Sequence, residues 1–576
     1  MSALTVADYV IFSLMLCVSG AIGVYHAIRR KNQQTTSEFL LANQSISTFP
    51  IAISLLVSFL SAVAILGIPS EVYTYGLSYI LISFAFTILI SISAFLYVPV
   101  FYKMKILSTN EYLERRFSPG IRFMGSILFI MTYTMYLSIA LFAPAVALDA
   151  VSDLPIIASV VANGFICVFY TSLGGFRAVI WTDVFQGFVI LVGMITVFVT
   201  GTIEVNGFGN VWRINKEMKR LNVFDFNPDP TVRSTFWTVI VGGVFSYLFP
   251  WSVSQLSVQR FLASKSLRDA KKAILLGIPA TIFIAIVCCF DGLVIFAVYH
   301  NCDLFRDKKI TRNDQILPYF VVDKLGHLTG LPGLFIASLF SGSLSTVSSG
   351  INSLSVVILE DIVKKIRKNI PDSEATSISR LIGVGYGILI TLGAIFLNFV
   401  KVPLLIQLTA SLFNLSAGPL LGLFTLGMLS RKATWKGAYI GSIFSFIVVG
   451  WLYIGSRFYP PVVNKPPTSI EGCSFLNGTN TTLGINSSLK NSTISYRDPL
   501  ARFYGLSFYY YGAVGMLVTI FVGYVFSVIL AKFDGPQEPV DKDLLFKFPN
   551  IFTTPIHDRY SVSQEIGNGN VVTSKL

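Results

Sequence analysis

One segment of the chain carries an unusually dense run of hydroxyl side chains. From Ser338 to Ser355, nine of eighteen residues are serine or threonine, and Asn352 lies among them. Small hydroxylated residues in an apolar helix usually serve helix packing in a membrane, but this density exceeds what packing needs. Hydroxyl oxygens at adjacent helical positions can bind a hard monovalent cation such as sodium. We therefore predict a cation site on this helix.

Two other apolar segments carry signals for a break in a membrane helix. Three serines follow one another at helical spacing in the first, at Ser54, Ser58 and Ser61. We expect that helix to break where Gly67 and Pro69 follow. The second segment carries its interruption at Gly242, Gly243 and Pro250. Broken helices in corresponding positions of two halves free backbone carbonyls for cations and usually mark the substrate site of a transporter.

The residues that other chemistries require are scarce. The four histidines lie far apart in loops, flanks and the tail, at His26, His300, His327 and His557. The six cysteines form no C-x-x-C pair and show no zinc-ligand spacing, and no P-loop motif is present. We therefore expect no enzyme, no resident metal centre, no cofactor apart from coupling sodium ions, and no ATP-driven pump.

The composition is that of a polytopic helical membrane protein. Of 576 residues, 53% are hydrophobic and 13% are charged, and the mean hydropathy is +0.68. A soluble domain carries about 25% charged residues, and each membrane crossing takes roughly 20 apolar residues. We place thirteen spans, at residues 8–28, 49–68, 78–101, 122–149, 155–173, 180–203, 235–258, 273–298, 331–358, 380–399, 403–428, 434–455 and 508–531.

The basic residues predict the orientation of these spans. The net charge of +13 would suit nucleic acid in a soluble protein, but in a membrane protein Lys and Arg first report the cytoplasmic side. Arg29, Arg30 and Lys31 follow the first span, which we therefore orient with its N-terminus outside. Thirteen alternating spans then leave the C-terminus inside.

Glycosylation sequons support this orientation. Four of them lie between the last two spans, at Asn477, Asn480, Asn486 and Asn491, which predicts a glycosylated outer loop over residues 456–507. The predicted outer loops also hold Cys302 and Cys473, and the oxidising compartment makes a disulfide between them plausible.

The chain ends in Ser574, Lys575 and Leu576. A hydroxyl two positions before a terminal aliphatic residue suits capture by a PDZ domain as an added strand. These residues therefore either bind such a partner or have no function.

Four stretches resemble a known family. They are Ser61 to Gly76 (SAVAILGIPSEVYTYG), Tyr170 to Gln186 (YTSLGGFRAVIWTDVFQ), Val258 to Ser264 (VQRFLAS) and Leu331 to Asn352 (LPGLFIASLFSGSLSTVSSGIN). Together they resemble the sodium/solute symporter family, most closely its branch of sodium-dependent multivitamin and sodium-coupled monocarboxylate transporters. The resemblance runs from about residue 8 to residue 531.

The resemblance implies an all-α fold with a LeuT-type inverted-repeat core. One helix and an inner loop, residues 1–48, would precede a ten-helix transport core at residues 49–430. Two further helices and the glycosylated loop would occupy residues 431–531, and residues 532–576 would form a cytoplasmic tail. The implied activity is sodium-coupled import of small organic anions across the plasma membrane.

The resemblance also implies two sodium sites. The first would use the hydroxyls of Ser345 and Thr346 with the carbonyls of Gly342, Val57 and Leu60. The second would lie nearer the cytoplasm, around Asp183, Ser348 and Ser349. Asp183 has an alternative role, because it follows a Gly174-Gly175 turn and is suited to cap the helix that begins there.

The substrate is expected between the two broken helices. Backbone N–H groups and half-helix dipoles there favour a carboxylate. The candidate lining residues, each of which could instead serve packing, are Ser61, Ala64, Leu66, Tyr247, Trp251 and Gln255.

The identity of the substrate stays open at this point. Ala64 matches the multivitamin transporters, whereas Thr74 and Ser254 replace an arginine and an asparagine that are usual in the branch. The candidates are monocarboxylates and carboxylate vitamins such as biotin or pantothenate. The alternatives are iodide or another anion, or a sodium channel or sensor that resembles a transporter.

Overall fold

The computed structural model describes residues 4–29, 44–152, 154–400, 404–459, 465–469, 471–473, 499–533 and 539–546. The described chain is helical. We number the helices and half-helices that lie in the apolar layer α1 to α15. They are α1 (Val6–Arg29), α2 (Thr48–Phe59), α3 (Ala62–Tyr75), α4 (Leu77–Met104), α5 (Pro119–Asp149), α6 (Ile156–Ser172), α7 (Gly174–Glu204), α8 (Thr238–Ser252), α9 (Gln255–Leu262), α10 (Leu267–Tyr299), α11 (Leu331–Ile366), α12 (Asp372–Asn398), α13 (Leu405–Leu429), α14 (Trp435–Phe458) and α15 (Phe508–Ala531).

The helices agree with the predicted series of spans. Ten described helices are long and apolar enough to cross a membrane, and two bent pairs, α2 with α3 and α8 with α9, each make one further span. The shorter apolar helix α6 matches the remaining predicted span at residues 155–173. Below, "outer" and "inner" name the ends of the helices according to the predicted orientation.

Both broken helices bend at other residues than we predict. Helix α2 ends at Phe59 and α3 begins at Ala62, with a bend of 58° between them. Helices α8 and α9 meet at Val253 and Ser254 with a bend of 52°. The expected break points at Gly67 and Pro69, and at Gly242, Gly243 and Pro250, are wrong, because these residues lie inside helical segments.

The two prolines illustrate why that expectation fails. Pro69 and Pro250 lie well inside α3 and α8, where a missing N–H leaves one carbonyl free. In a membrane protein, nearby hydroxyls can bond to carbonyls that a helix leaves free. Ser257 Oγ, beyond the end of α8, donates in this way to Pro250 O at 2.5 Å. Both prolines lie within helical segments, so a proline does not by itself locate a break in this chain.

The chain turns between α6 and α7 at a glycine. Gly175 has a φ of 65°, in a region that only glycine adopts readily. This confirms the predicted Gly174-Gly175 turn. Asp183 lies eight residues further, inside α7, and its carboxylate bonds to other helices, so the alternative role as a helix cap is wrong.

The hydroxyl-rich helix α11 runs through the centre of the molecule. Every residue from Phe335 to Val357 is buried, and α11 packs against α1, α5 and the α6–α7 pair. Its outer end is capped by α1, because Asp8 Oδ1 accepts a hydrogen bond from Gly333 N at 2.8 Å. Its hydroxyls therefore face protein and not lipid.

The last helices and the outer loops lie beside this core. Helix α15 packs against α13 and α14. Cys302 and Cys473 form a disulfide, with their Cα atoms 4.9 Å apart, which is the pair that the sequence makes plausible. The four sequon asparagines and the terminal residues 574–576 lie outside the described residues, so glycosylation and the tail partner stay predictions.

Candidate functional site

The centre of the site is the crossing of α11 with the break between α2 and α3. A Cβ atom on Gly342 would lie 3.1 Å from both Leu60 O and Ala62 N, so the glycine lets α11 lie close to the broken backbone. Thr346, one turn further, donates from its hydroxyl to Ser58 O at 3.1 Å. The hydroxyls of α11 and the last carbonyls of α2 therefore meet.

Four members of the predicted first sodium set lie at this crossing. Gly342 approaches Leu60, Thr346 reaches the last turn of α2, and Val57 O accepts from Leu60 N at 3.2 Å. The fifth member, Ser345, is directed to another group, because its hydroxyl donates to Asp183 Oδ1 at 2.6 Å. Asp183 thus lies directly beside the set.

Asp183 forms a fully buried ion pair that we did not predict. Arg260 Nη2 lies 3.1 Å from Asp183 Oδ2, and both side chains are 0% exposed. The same carboxylate oxygen accepts from Ser54 Oγ at 2.5 Å. Breaking such a buried pair from one side typically costs about 3–5 kcal/mol, so the two residues fix α7 and α9 together.

Arg260 binds hydroxyls on α2 and α11 as well as the carboxylate. Its guanidinium donates to Ser54 Oγ, Ser58 Oγ and Ser349 Oγ at 2.9, 2.6 and 2.6 Å. Its only sequence signal is its place in the quoted motif VQRFLAS, because our predicted span ended two residues before it. The short helix α9, which follows the second break, carries it into the centre of the molecule.

The predicted second sodium set is only partly assembled. Asp183 and Ser349 both contact Arg260, whereas Ser348 Oγ donates to Ser345 O at 3.1 Å. The positive charge beside Asp183 in this conformation is therefore the guanidinium. The sodium roles of Asp183, Ser348 and Ser349 stay predictions.

A cavity of about 130 Å³ lies between the two broken helices. Ser61 and Ala64 of α3 and Tyr247 and Trp251 of α8 line it, as we predict. Its wall also contains hydroxyls and one amide that we did not predict, at Ser246, Thr281, Thr409, Tyr133, Tyr136 and Asn414. None of the described lining residues carries a charged side chain.

Leu66 and Gln255 are not among the residues that line this cavity. Leu66 is fully buried on another face of α3. The amide of Gln255 accepts from Thr109 N at 2.8 Å and donates to Leu107 O at 2.7 Å, which fixes α9 to the loop before the short helix Asn110–Arg116. A glutamine at a helix start gives no signal that separates these two uses.

The N-terminus of α3 opens onto the cavity. Ser61 is its N-cap residue and makes no side-chain cap hydrogen bond, while Ser61, Val63 and Ala64 belong to the cavity wall. The first N–H groups of a helix carry a partial positive charge and attract anions. An anionic group can therefore bind here without a buried arginine.

The outer end of α3 is held by two buried arginines. Arg233 donates to both carboxylate oxygens of Glu71, at 2.9 and 2.8 Å, and to Gln407 of α13 at 2.8 Å. Arg220 donates to Tyr73 O and lies with its guanidinium carbon 3.5 Å from the centre of the Phe296 ring. Burial lowers the pKa of Arg220 to about 10, which leaves it charged at neutral pH.

A buried carboxyl group also borders this outer region. Asp314 accepts two hydrogen bonds from Leu405 N, at 3.3 and 3.0 Å, and so caps α13. Burial raises the pKa of Asp314 to about 7, against the lowering effect of these hydrogen bonds. The folded protein therefore loses stability as the pH rises from about 4 to about 7, because the ionised form is buried.

Comparison with known proteins identifies the family of the chain. Residues 39–445 match the Sodium:solute symporter family. The chain is 39% identical over 530 residues to the human sodium-coupled monocarboxylate transporter 1, covering 90% of this chain and 87% of that protein. It is also 39% identical over 540 residues to the rabbit sodium-dependent multivitamin transporter, covering 93% and 85%.

A solved structure shares the fold. It is a sodium-coupled sialic acid symporter in a substrate-bound, outward-open state, with a TM-score of 0.75 and 22% sequence identity. The match covers 93% of this chain and 99% of the other. The LeuT-type architecture that the sequence predicts is therefore confirmed. The monocarboxylate and multivitamin transporters support neither iodide transport nor a channel or sensor role.

Proposed function

The chain belongs to the sodium:solute symporter family, and from that premise we propose that it imports small monocarboxylates together with sodium across the plasma membrane. Import proceeds by alternating access, with the N-terminus outside and the C-terminus in the cytoplasm. The substrate carboxylate binds at the start of α3, between the two broken helices.

One observation carries this proposal. An uncharged cavity contacts the N-terminus of α3 on one side, and the oxygen-rich crossing of α2 and α11 lies at the same break in the backbone. A cation bound at the crossing stabilises the adjacent anion, and the anion stabilises the cation. Mutual stabilisation of two ligands is what couples their movement.

We assign the following roles to individual residues. Thr346, with the carbonyls of Gly342, Val57 and Leu60, binds the first sodium, and Ser345 joins them when it leaves Asp183. Asp183, Ser348 and Ser349 bind a second sodium when Arg260 withdraws from the carboxylate. Ser61 and Ala64 contact the substrate from α3, and Tyr247 and Trp251 contact it from α8.

The size of the cavity favours a short substrate. Sites for drug-sized ligands measure roughly 300–1,000 Å³, whereas this cavity measures about 130 Å³. A molecule such as lactate suits that volume better than biotin or pantothenate. Ala64 instead favours a carboxylate vitamin, because it matches the multivitamin transporters. The two substrate classes are therefore tested side by side.

The test is uptake of labelled lactate, biotin and iodide into cells that express the protein, with sodium or with choline outside. We expect sodium-dependent uptake of lactate, weaker uptake of biotin and none of iodide. Cells that do not express the protein control for background uptake. Sodium-dependent iodide uptake without uptake of any carboxylate would contradict the proposal.

We also propose that the terminal residues Ser574 to Leu576 bind a PDZ domain. Deleting these three residues should lower the amount of protein retained at the surface and leave transport per surface molecule unchanged. Surface biotinylation combined with uptake measures both quantities. A fall in transport per surface molecule would refute the assignment.

A further inference from the structure

A buried carboxyl group without a partner lies in α10. Asp291 is 1% exposed, and neither of its carboxylate oxygens has a hydrogen-bond partner among the described residues. It is part of the helix Gly277–Tyr299, which crosses the membrane. Ionisable residues at such positions are rare and usually functional.

The other buried acids show that this chain normally provides partners for them. Six acidic residues are buried in the described part of the chain. Five accept hydrogen bonds or pair with an arginine, namely Asp8, Glu71, Asp183, Asp314 and Asp361. An isolated ionised carboxylate in an apolar interior is so costly that the group takes up a proton instead. Asp291 therefore holds a proton in this conformation.

The position of Asp291 links it to the half-helix beside the cavity. Ile284, which lines the cavity, lies seven residues earlier on the same face of α10. The next residue, Gly292, packs so closely on α3 that a Cβ atom there would lie 2.7 Å from Pro69 O and from Val72 Cβ. Because Gly292 follows Asp291 directly, a movement of α3 away from α10 loosens the packing of the helical turn that carries Asp291.

The titratable groups around Asp291 are engaged elsewhere or uncharged. On its own helix, Cys288 and Cys289 are buried thiols. On the neighbouring elements, Glu71 pairs with Arg233, Arg220 contacts Tyr73 O and Phe296, and the hydroxyl of Tyr79 bonds with Tyr247. On the helix Ile316–Leu325, the Tyr319 ring packs against Tyr299. At the end of that helix, Asp323 accepts a hydrogen bond from the Tyr299 hydroxyl at 2.8 Å and lies 3.5 Å from Lys324.

The remaining helices packed on α10 add no charge near its middle. Helices α2 and α4 carry no acid or base beside it, since Lys103 lies at the far, inner end of α4. The facing turns of α7 contain only Glu204, at the outer end. Arg213, Lys216 and Glu217 belong to the surface helix Phe208–Glu217, and Arg268, Asp269, Lys271 and Lys272 lie in the first, inner turns of α10.

We propose that Asp291 is a proton-binding site that exchanges its proton with the outer solution when α3 moves away from α10. In that open arrangement the carboxyl group reaches water and can release its proton to it. Closing α3 against α10 again requires the carboxylate to take a proton back from water. High external pH therefore holds the protein in the open arrangement and slows the transport cycle.

The first test does not depend on the substrate and so stands apart from the proposed function. The carbonyl stretching band of a protonated carboxylic acid is recorded by infrared spectroscopy on the purified protein in lipid, between about pH 5.5 and about pH 8.5, where unperturbed carboxyls do not titrate. Asp291→Asn should remove one band that the wild type shows, while Asp314→Asn should leave that band in place. Identical spectra for the wild type and Asp291→Asn would overturn the proposal.

The second test follows transport and rests on the proposed function. Sodium-dependent uptake of labelled lactate should fall as external pH rises, by up to about tenfold per unit above the titration of Asp291. The asparagine in Asp291→Asn is uncharged at every pH. Uptake by this variant should therefore lose the part of its pH dependence that Asp291 causes. Asp314→Asn should retain the wild-type dependence. An Asp291→Asn profile that parallels the wild type would overturn the proposal, whereas an absence of lactate uptake in all variants would count against the substrate and leave the infrared result decisive.

Discussion

At the scale of single residues, the pair of Asp183 and Arg260 organises the site. Its members come from α7 and α9, 77 positions apart in the chain, and each also bonds to α2 or α11. The pair therefore ties four helices together at the inner side of the cavity. Any sodium ion that binds Asp183 must compete with the guanidinium for the same carboxylate.

Removing one member of this pair should lower the stability of the folded protein more than removing the charges of both. Arg260→Gln leaves an unpaired buried carboxylate and should destabilise the protein by about 3–5 kcal/mol. The double variant Asp183→Asn with Arg260→Gln should recover most of that loss. Thermal unfolding of the purified variants and their surface abundance measure the effect. Equal stability of the single and double variants would contradict the proposed coupling.

The sodium ligands make a separate prediction. Thr346→Ala removes one hydroxyl at the crossing of α2 and α11, at a cost of about 1–3 kcal/mol, so the apparent sodium affinity should fall about tenfold or more. Ser355→Ala is the matched control, because among the described residues that hydroxyl donates to Ile351 O of its own helix and reaches no group at the crossing. Sodium activation curves of uptake compare the two. Unchanged sodium dependence in Thr346→Ala and in Ser345→Ala would locate the site elsewhere.

Residue types predicted some of these roles and not others. The hydroxyl density of α11 is a local property of the sequence and predicted a cation site on this helix, whereas the family resemblance implied the particular residues Thr346 and Gly342. The partner of Asp183 was not, because nothing local tells an arginine at the inner end of a span from one that turns into the core. Gln255 was misassigned for the same reason, since its partners at residues 107–109 are distant in the chain.

At the scale of elements, the existence of two broken helices was predictable but their break points were not. Glycine and proline have low helix propensity, and both broken helices contain them. The bend between α2 and α3 nevertheless falls at Leu60 and Ser61, where Gly342 of α11 lies close to the backbone. A contact between segments about 280 residues apart in sequence decides the position, and periodicity within one segment cannot report it.

This contact can be tested by filling the space at Gly342. Gly342→Val would place atoms within about 3.1 Å of Leu60 O and Ala62 N, so α11 and the break must separate. We expect the sodium affinity and the surface abundance both to fall. Gly385→Val is the control, because a Cβ atom there meets nothing within 4 Å. Sodium activation curves and surface labelling measure the outcome, and a normal Gly342→Val protein would show that the close approach is dispensable.

At the scale of the whole molecule, length and hydropathy predicted the thirteen spans, and the family motifs predicted the LeuT-type core. The ion pair between Glu71 and Arg233 at the outer end of α3 was not predicted. Glu71 and Arg233 each lie at the edge of a predicted span, where a charge is unremarkable. Only the fold brings them together with Gln407 above the cavity.

If both proposed sodium sites are used, two sodium ions with one monovalent anion carry one positive charge inward, so transport should be electrogenic. Under voltage clamp, adding lactate in sodium should produce an inward current, and replacing sodium with choline should abolish it. Cells expressing Ser355→Ala should behave as the wild type. Sodium-dependent lactate uptake without current would contradict the two-sodium mechanism and leave Asp183 with its structural pairing to Arg260.

The same stoichiometry sets how far the substrate can be concentrated. A tenfold sodium gradient contributes about 1.4 kcal/mol per ion, and one charge moving through about 60 mV adds roughly 1.4 kcal/mol. The sum of about 4 kcal/mol supports roughly a thousandfold accumulation. A single sodium ion, being electroneutral with the anion, would support only about tenfold.

The central claim is that a sodium gradient drives a small carboxylate through this protein. The most direct measurement is the internal concentration of labelled lactate in proteoliposomes that contain only the purified protein, with lactate equal on both sides at the start. An inward sodium gradient should raise internal lactate well above the external level, and dissipating the gradient should release it. Internal lactate that never exceeds the external concentration, with the gradient intact and the protein folded, would contradict the account.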